Sequence, residues 1–190
     1  MSIPAYIRGY KEELISCIRC IDPEAMSSAL QLLQATRVRN GTAYVCGNGG
    51  SAANASHMAL HLSQAGLKTI CLSDNVPMLT AHANDLGYDQ VFSAFTLRYC
   101  EPGDLLILIS GSGNSWNILK SLETQSVDKV ALLGMDGGEL GKQMETDGVK
   151  LLIPSQRYGP IEDSHSAIIH MLADMLKQSC EVLDNITAMW

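Results

Sequence analysis

The chain has 190 residues, 46% of them hydrophobic and 17% charged, a balance that excludes intrinsic disorder and supplies a substantial core. A formal charge of −7 argues against a nucleic-acid partner, because phosphate backbones are held by clustered lysine and arginine. It leaves open a small phosphorylated ligand, which backbone amides can bind inside an acidic protein.

Two helices are expected first. Ile7, Tyr10, Leu14, Cys17 and Ile21 recur at helical spacing. Asp22-Pro23 ends this helix and caps a second one, which Asn40-Gly41 closes. Residues 1–40 thus form a helical hairpin at the head of one domain spanning 1–190.

The pattern then changes to short apolar runs alternating with helical segments. The runs cover 43–46, 69–72, 105–109, 130–133 and 149–153, each followed by a turn bearing Gly, Ser or Asp. Strands buried on both faces of a parallel sheet have this composition. Helices are expected near 51–65, 77–98, 115–124 and 138–146, with a long last one from Pro160 to about Leu183. The fold class is therefore α/β, a three-layer domain with about five parallel strands, and ligands should bind beyond the strand carboxyl ends.

Six cysteines, at 17, 20, 46, 71, 100 and 180, read as reduced thiols. Cys17 and Cys20 form C-x-x-C inside a helical pattern with no second pair, a poor context for zinc or redox chemistry. The first residues hold no basic segment followed by an apolar run, and no apolar stretch is long enough to span a bilayer. A cytoplasmic protein with no membrane partner is expected.

Two strand-to-helix turns carry the chemistry. The first reads Cys46-Gly47-Asn48-Gly49-Gly50-Ser51 and runs straight into a helix. Glycines permit a tight turn with close backbone approach, and the helix start offers unpaired N–H groups. The second, Ser110-Gly111-Ser112-Gly113-Asn114-Ser115, brings three hydroxyls and two glycines to another helix start. That set suits the terminal oxygens of a phosphate monoester. His57 and His61, at i and i+4, share one helix face and can ligate one metal, while the last helix offers Glu162, Asp163, His165 and His170.

The S-x-S-G-x-S run resembles the phosphate signature of the SIS (sugar isomerase) family, and C-G-N-G-G-S-A-A-x-A-x-H is similar to the first loop and helix of the phosphoheptose isomerases. Further matches are Leu72-Ser73-Asp74, Ala83-Asn84-Asp85, Asp136-Gly137-Gly138-Glu139-Leu140 and the final helix. The resemblance implies an aldose–ketose isomerase of the SIS fold that converts sedoheptulose 7-phosphate to a heptose 7-phosphate through a metal-assisted cis-enediol. It implies that Ser51, Ser110, Ser112 and Ser115 hold the phosphate, with Gly49, Gly50, Gly111 and Asn114 completing the cradle, and that Asn48 and Asp85 touch sugar hydroxyls.

Those relatives bind zinc through His, Glu, Gln and His. Here the matching positions are His57, His61, Glu162 and His170, so the carboxylate has moved from one helix to the other and a four-ligand set remains. One zinc per subunit is implied, with Glu162 or His61 as base and His170 as acid partner. Glu162 and His170 are eight residues apart, a rise of about 12 Å on an ideal helix, so both reach one ion only if their side chains lean together or the helix entry is irregular. Relatives assemble as homotetramers. The alternative reading is a non-catalytic SIS protein: one that binds the replication initiator DnaA, whose S-A-A-N-A-x-H stretch recurs at Ser51–His57, or a sugar-phosphate-binding regulator. Trp116, just after the serine loop, is a further candidate lining residue.

Overall fold

The computed structural model describes residues 2–124 and 127–187, and side chains up to residue 179. Helix α1 (Ile3–Arg19) is capped by the Ser2 side chain, and α2 (Pro23–Val38) by Asp22, whose carboxylate accepts the Glu24 N–H at 2.9 Å. Proline in the first turn costs neither helix a hydrogen bond. Asn40 closes α2 in the left-handed region, at φ 60°.

Five parallel strands follow: β1 (Thr42–Gly47), β2 (Lys68–Cys71), β3 (Leu105–Ser110), β4 (Asp128–Gly134) and β5 (Val149–Ile153), in the order β2-β1-β3-β4-β5. Between and after them lie α3 (Gly50–Gln64), α4 (Val76–Leu86), α5 (Ser93–Tyr99), α6 (Trp116–Lys120), α7 (Gly138–Asp147) and α8 (Tyr158–Thr187). The strand order reverses between β1 and β3, so the segments leaving these strands diverge and open a crevice at their carboxyl ends.

Alternation along the strands divides the core in two. Ala43, Val45, Leu105, Ile107, Ile109, Val130 and Leu132 face α1, α2, α3 and α8. Tyr44, Cys46, Leu106, Leu108, Ala131 and Leu133 face the layer of α5, α6 and α7. The three-layer α/β fold with five parallel strands read from the sequence is the fold observed, with eight α-helices among the described residues.

Three local expectations need correction. The helix expected over 77–98 is two helices, broken where Gly87 turns to φ 95° and a 3-10 turn at Tyr88–Gln90 follows. The strand β2 lies at the sheet edge rather than fully covered, and Ile70 is 45% exposed. The last helix starts at Tyr158, so Pro160 sits within its first turn, where its missing N–H is harmless. Cys17, Cys46 and Cys71 are buried free thiols and Cys100 is half-buried, whereas Cys20 is exposed; the Cys180 side chain lies outside the described residues. No helix among the described residues is long and apolar enough to cross a membrane.

Candidate active site

At the crevice, Asn48, Gly49, Gly50, Ser51, Ser110, Gly111, Ser112 and Ser115 come together with Ile109, Tyr158 and Glu162 around a pocket of about 270 Å³. No lysine or arginine is among these lining residues. An anion entering here would meet the Glu162 carboxylate on one wall and neutral donors elsewhere: hydroxyls, and the N–H groups at the start of α3, whose N-cap Gly49 provides no side-chain bond.

The serine loop is held rigid from outside. The Ser110 hydroxyl accepts the Gly113 N–H at 3.0 Å and the Ser112 hydroxyl accepts the Asn114 N–H at 3.2 Å. Both oxygens are thereby engaged as acceptors, which leaves their protons to be donated elsewhere. Gly113, at φ 64°, approaches the Gly137 carbonyl so closely that no β-carbon fits. Its own carbonyl accepts the Leu140 N–H at 2.9 Å, and the Asn114 side chain accepts the Glu139 N–H at 3.0 Å. Asn114 therefore fastens the loop to the start of α7 and is not among the pocket's lining residues.

The first loop is buttressed by other means. The Ser73 hydroxyl donates to the Gly47 carbonyl at 3.0 Å, and Asp74 accepts from Ser56 on α3 at 3.0 Å. Asn48 is locked by reciprocal amide bonds to the buried Asn117, at 2.8 and 2.9 Å, and its carbonyl oxygen also accepts from the Tyr88 hydroxyl at 2.9 Å. Two donors on that oxygen leave a second amide hydrogen of Asn48 as its free bonding capacity. Tyr88, Asn117 and Tyr158 were not singled out in the sequence. The only local signal for Tyr88 is Gly87, a glycine at a helix end that turns the chain back toward the loop. Tyr158 lies 2.9 Å from where a Gly111 β-carbon would stand, so its ring closes one wall of the pocket.

Asp85 is exposed near the end of α4, accepts from Asn84 at 2.8 Å, and does not line the pocket of this chain. Trp116 is 73% exposed and borders a different groove, with Leu119, Lys120 and Gln143.

Along α3 and α8 from the pocket, His57, His61 and His170 converge. Their ligand nitrogens lie within 4.8 Å of one another, and Nε2 of His57 and Nε2 of His170 are 2.8 Å apart. The three rings meet edge to face with centroids 4.4, 4.9 and 4.8 Å apart. Partial burial, then the neighbouring His61 and His170, push the His57 pKa down, so the neutral, ligating form is favoured. Three converging imidazoles fit a zinc-like divalent ion.

Glu162 does not join them. Its carboxylate lies directly over Gly50, in a space a β-carbon would fill, and it is the carboxylate lining the serine pocket. On α8, His170 lies about two turns beyond Glu162. The four-ligand set expected from the sequence is, in this structure, a three-histidine cluster and a separate carboxylate. His165 also stands apart. Fully buried, it bonds the Leu133 carbonyl through Nε2 at 3.0 Å, and burial pushes its pKa down to about 4.

The model of the SIS domain family matches residues 8–133. A phosphoheptose isomerase of Shewanella sp. (strain ANA-3) is 34% identical over 166 residues, covering 83% of this chain and 84% of that protein. The solved phosphoheptose isomerase of Neisseria gonorrhoeae superposes with a TM-score of 0.88 at 30% identity, covering 93% of this chain and all of that one. That of Francisella tularensis gives the same TM-score and identity over 94% of this chain. With the family model matching residues 8–133, relatives at 34% identity over 83% of the chain and solved structures at a TM-score of 0.88, the chain belongs to the SIS-domain family and, within it, to the phosphoheptose isomerases.

Proposed function

We propose that this protein isomerises sedoheptulose 7-phosphate to a heptose 7-phosphate, with zinc held by His57, His61 and His170 and with Glu162 as the base. The observation that carries this reading is the division of the groove. Hydroxyl and amide donors gather at its start, imidazoles gather about two turns further on, and one carboxylate lines the pocket.

In this reading Ser51, Ser110, Ser112 and Ser115 donate to the phosphate, helped by the backbone of Gly49, Gly50 and Gly111. Asn48 donates its free amide hydrogen to a sugar oxygen. Glu162 takes a proton from carbon 1 of the ketose, giving a cis-enediol, and returns it to carbon 2 on the same face. One further proton moves from the oxygen on carbon 1 to the oxygen on carbon 2, so substrate and product remain isomers. His170 serves that transfer by donating its other ring proton to the oxygen on carbon 2 and recovering one from the oxygen on carbon 1. Bound zinc supplies positive charge that stabilises the oxyanion character developing on the substrate. With all three imidazoles committed as ligands, His61 has no lone pair left to act as base, which favours Glu162 over it.

We further read the chain as a single domain of the cytoplasm that assembles as a homotetramer. Ile3, Ile7, Ile15 and Ile18 of α1 are between 42 and 77% exposed, an apolar surface suited to burial between subunits. The functional test is incubation of the zinc-loaded protein with sedoheptulose 7-phosphate, with the aldose product followed by NMR. Product formation that chelation abolishes supports the reading. Zinc binding without turnover refutes it in favour of a non-catalytic phosphosugar binder.

A further inference from the structure

Glu162 is held in place from outside the pocket, by two side chains that do not line it. On one side, the Asn54 side-chain amide on α3 donates to the backbone carbonyl of Glu162 at 3.0 Å. On the other, the Tyr10 hydroxyl on α1 donates to the carboxylate of the next residue, Asp163, at 2.6 Å. That bond, with the nearby Asp163 charge, pushes the Tyr10 pKa up to about 12, so the phenol stays a donor.

Tyr10 belongs to a longer latch. Tyr6, Tyr10 and Glu13 lie on one stripe of α1 and meet the segment joining β5 to α8. Glu13 pairs with Arg157 at 2.6 Å and accepts from the Ser155 hydroxyl at 2.8 Å. The Arg157 guanidinium also bonds the Tyr6 hydroxyl at 3.1 Å and lies over the rings of Tyr6 and Tyr10, at 5.8 and 5.3 Å. Gly159 lets this junction close, since a β-carbon there would stand 2.9 Å from the Tyr10 hydroxyl. Between these latched residues, the chain sends Tyr158 and Glu162 into the pocket wall.

We propose that α1 is a strap for the active site, and that Tyr10 and Asn54 are positioning residues that fix Glu162 for proton transfer. The inference rests on Glu162 being the base. A carboxylate on a free helix start would sample several rotamers, and small misplacement of a reacting group costs rate far more than binding. The strap acts on the base and not on the serine loops, so its loss should separate kcat from KM.

The test uses the full zinc-loaded chain. Tyr10→Phe should lower kcat about tenfold while KM for sedoheptulose 7-phosphate, inhibition by inorganic phosphate and zinc content stay within about twofold. Asp163→Ala should do the same, and Asp163→Asn, whose amide oxygen still accepts from Tyr10, should keep most of the kcat that Asp163→Ala loses. The loss caused by Tyr10→Phe should vanish in a Glu162→Gln background, because both act on one step. Hydrogen exchange provides a readout independent of activity: Tyr10→Phe should speed exchange across 158–166 and leave 57–61 unchanged. Equal kcat in Tyr10→Phe and wild type, a loss that persists undiminished in Glu162→Gln, or unchanged exchange across 158–166 would each overturn the strap. A fully active Glu162→Gln would instead refute the base assignment, and the exchange arm would still decide whether α1 holds the junction.

Discussion

The serine pocket is made by loops at the ends of β1 and β3, whereas the histidine cluster is made by the flanks of two regular helices, α3 and α8. The loops need outside anchors. Asn114 and Gly113 tie one to α7, and Ser73, Asn117 and Tyr88 steady the other. The helices need only their own periodicity, because residues four apart fall on one face, and the packing of α3 against α8 does the rest. In the proposed function, recognition of the anion and capture of the metal rest on separate parts of the fold and should be separable by mutation.

The largest effect should come at the carboxylate that lines the serine pocket. Glu162→Gln should cut kcat by about 10²- to 10⁴-fold with zinc content unchanged. Loss of zinc in this variant, measured by metal analysis after dialysis, would merge the two halves and restore a four-ligand site. Next, His57→Ala or His170→Ala should drop bound zinc to a small fraction of the wild-type value while inorganic phosphate still binds, checked by calorimetry.

Histidines of α8 sharpen the contrast from another side. The folded pKa of His165, about 4, lies below its ordinary 6.5, so this group contributes stability above pH 6.5 that is lost as pH falls toward 4. The full loss is about 3 kcal/mol, visible in urea unfolding at pH 7 and pH 4 and reduced in His165→Gln. Zinc should be released as pH falls through the range in which the free imidazoles take up protons, with or without His165. The smallest effect belongs to the pocket. Ser112→Ala removes one charge-assisted hydrogen bond and should weaken inorganic phosphate binding about tenfold, zinc content unaffected.

Much of this was legible in the chain. Gly and Ser punctuate the ends of β1 and β3, and an apolar run before a glycine turn before a helix is a local signal. The i, i+4 pair of His57 and His61 is equally local. What escaped depends on distance in space. Nothing near Asn117 in sequence says that it pairs with Asn48, because that bond joins residues 69 apart. The Asp136–Leu140 run was recognisable as a family match, but its work, docking the serine loop onto α7, appears only when the two strands lie side by side. Gly87 was in plain view and was read through, so Tyr88 was placed mid-helix instead of against Asn48. Where the Glu162 carboxylate stands, over Gly50, is set by packing between α3 and α8 and has no local sequence signal.

The central claim, that Glu162 moves a proton on carbon 1 and carbon 2 of a phosphorylated sugar, is tested most directly by isotope exchange. Zinc-loaded wild type and Glu162→Gln are incubated with sedoheptulose 7-phosphate in heavy water, and deuterium at these carbons is followed by NMR. Incorporation by the wild type is expected, abolished by chelation and lacking in the variant. Equal incorporation by the variant, or none by a zinc-replete wild type, would contradict it.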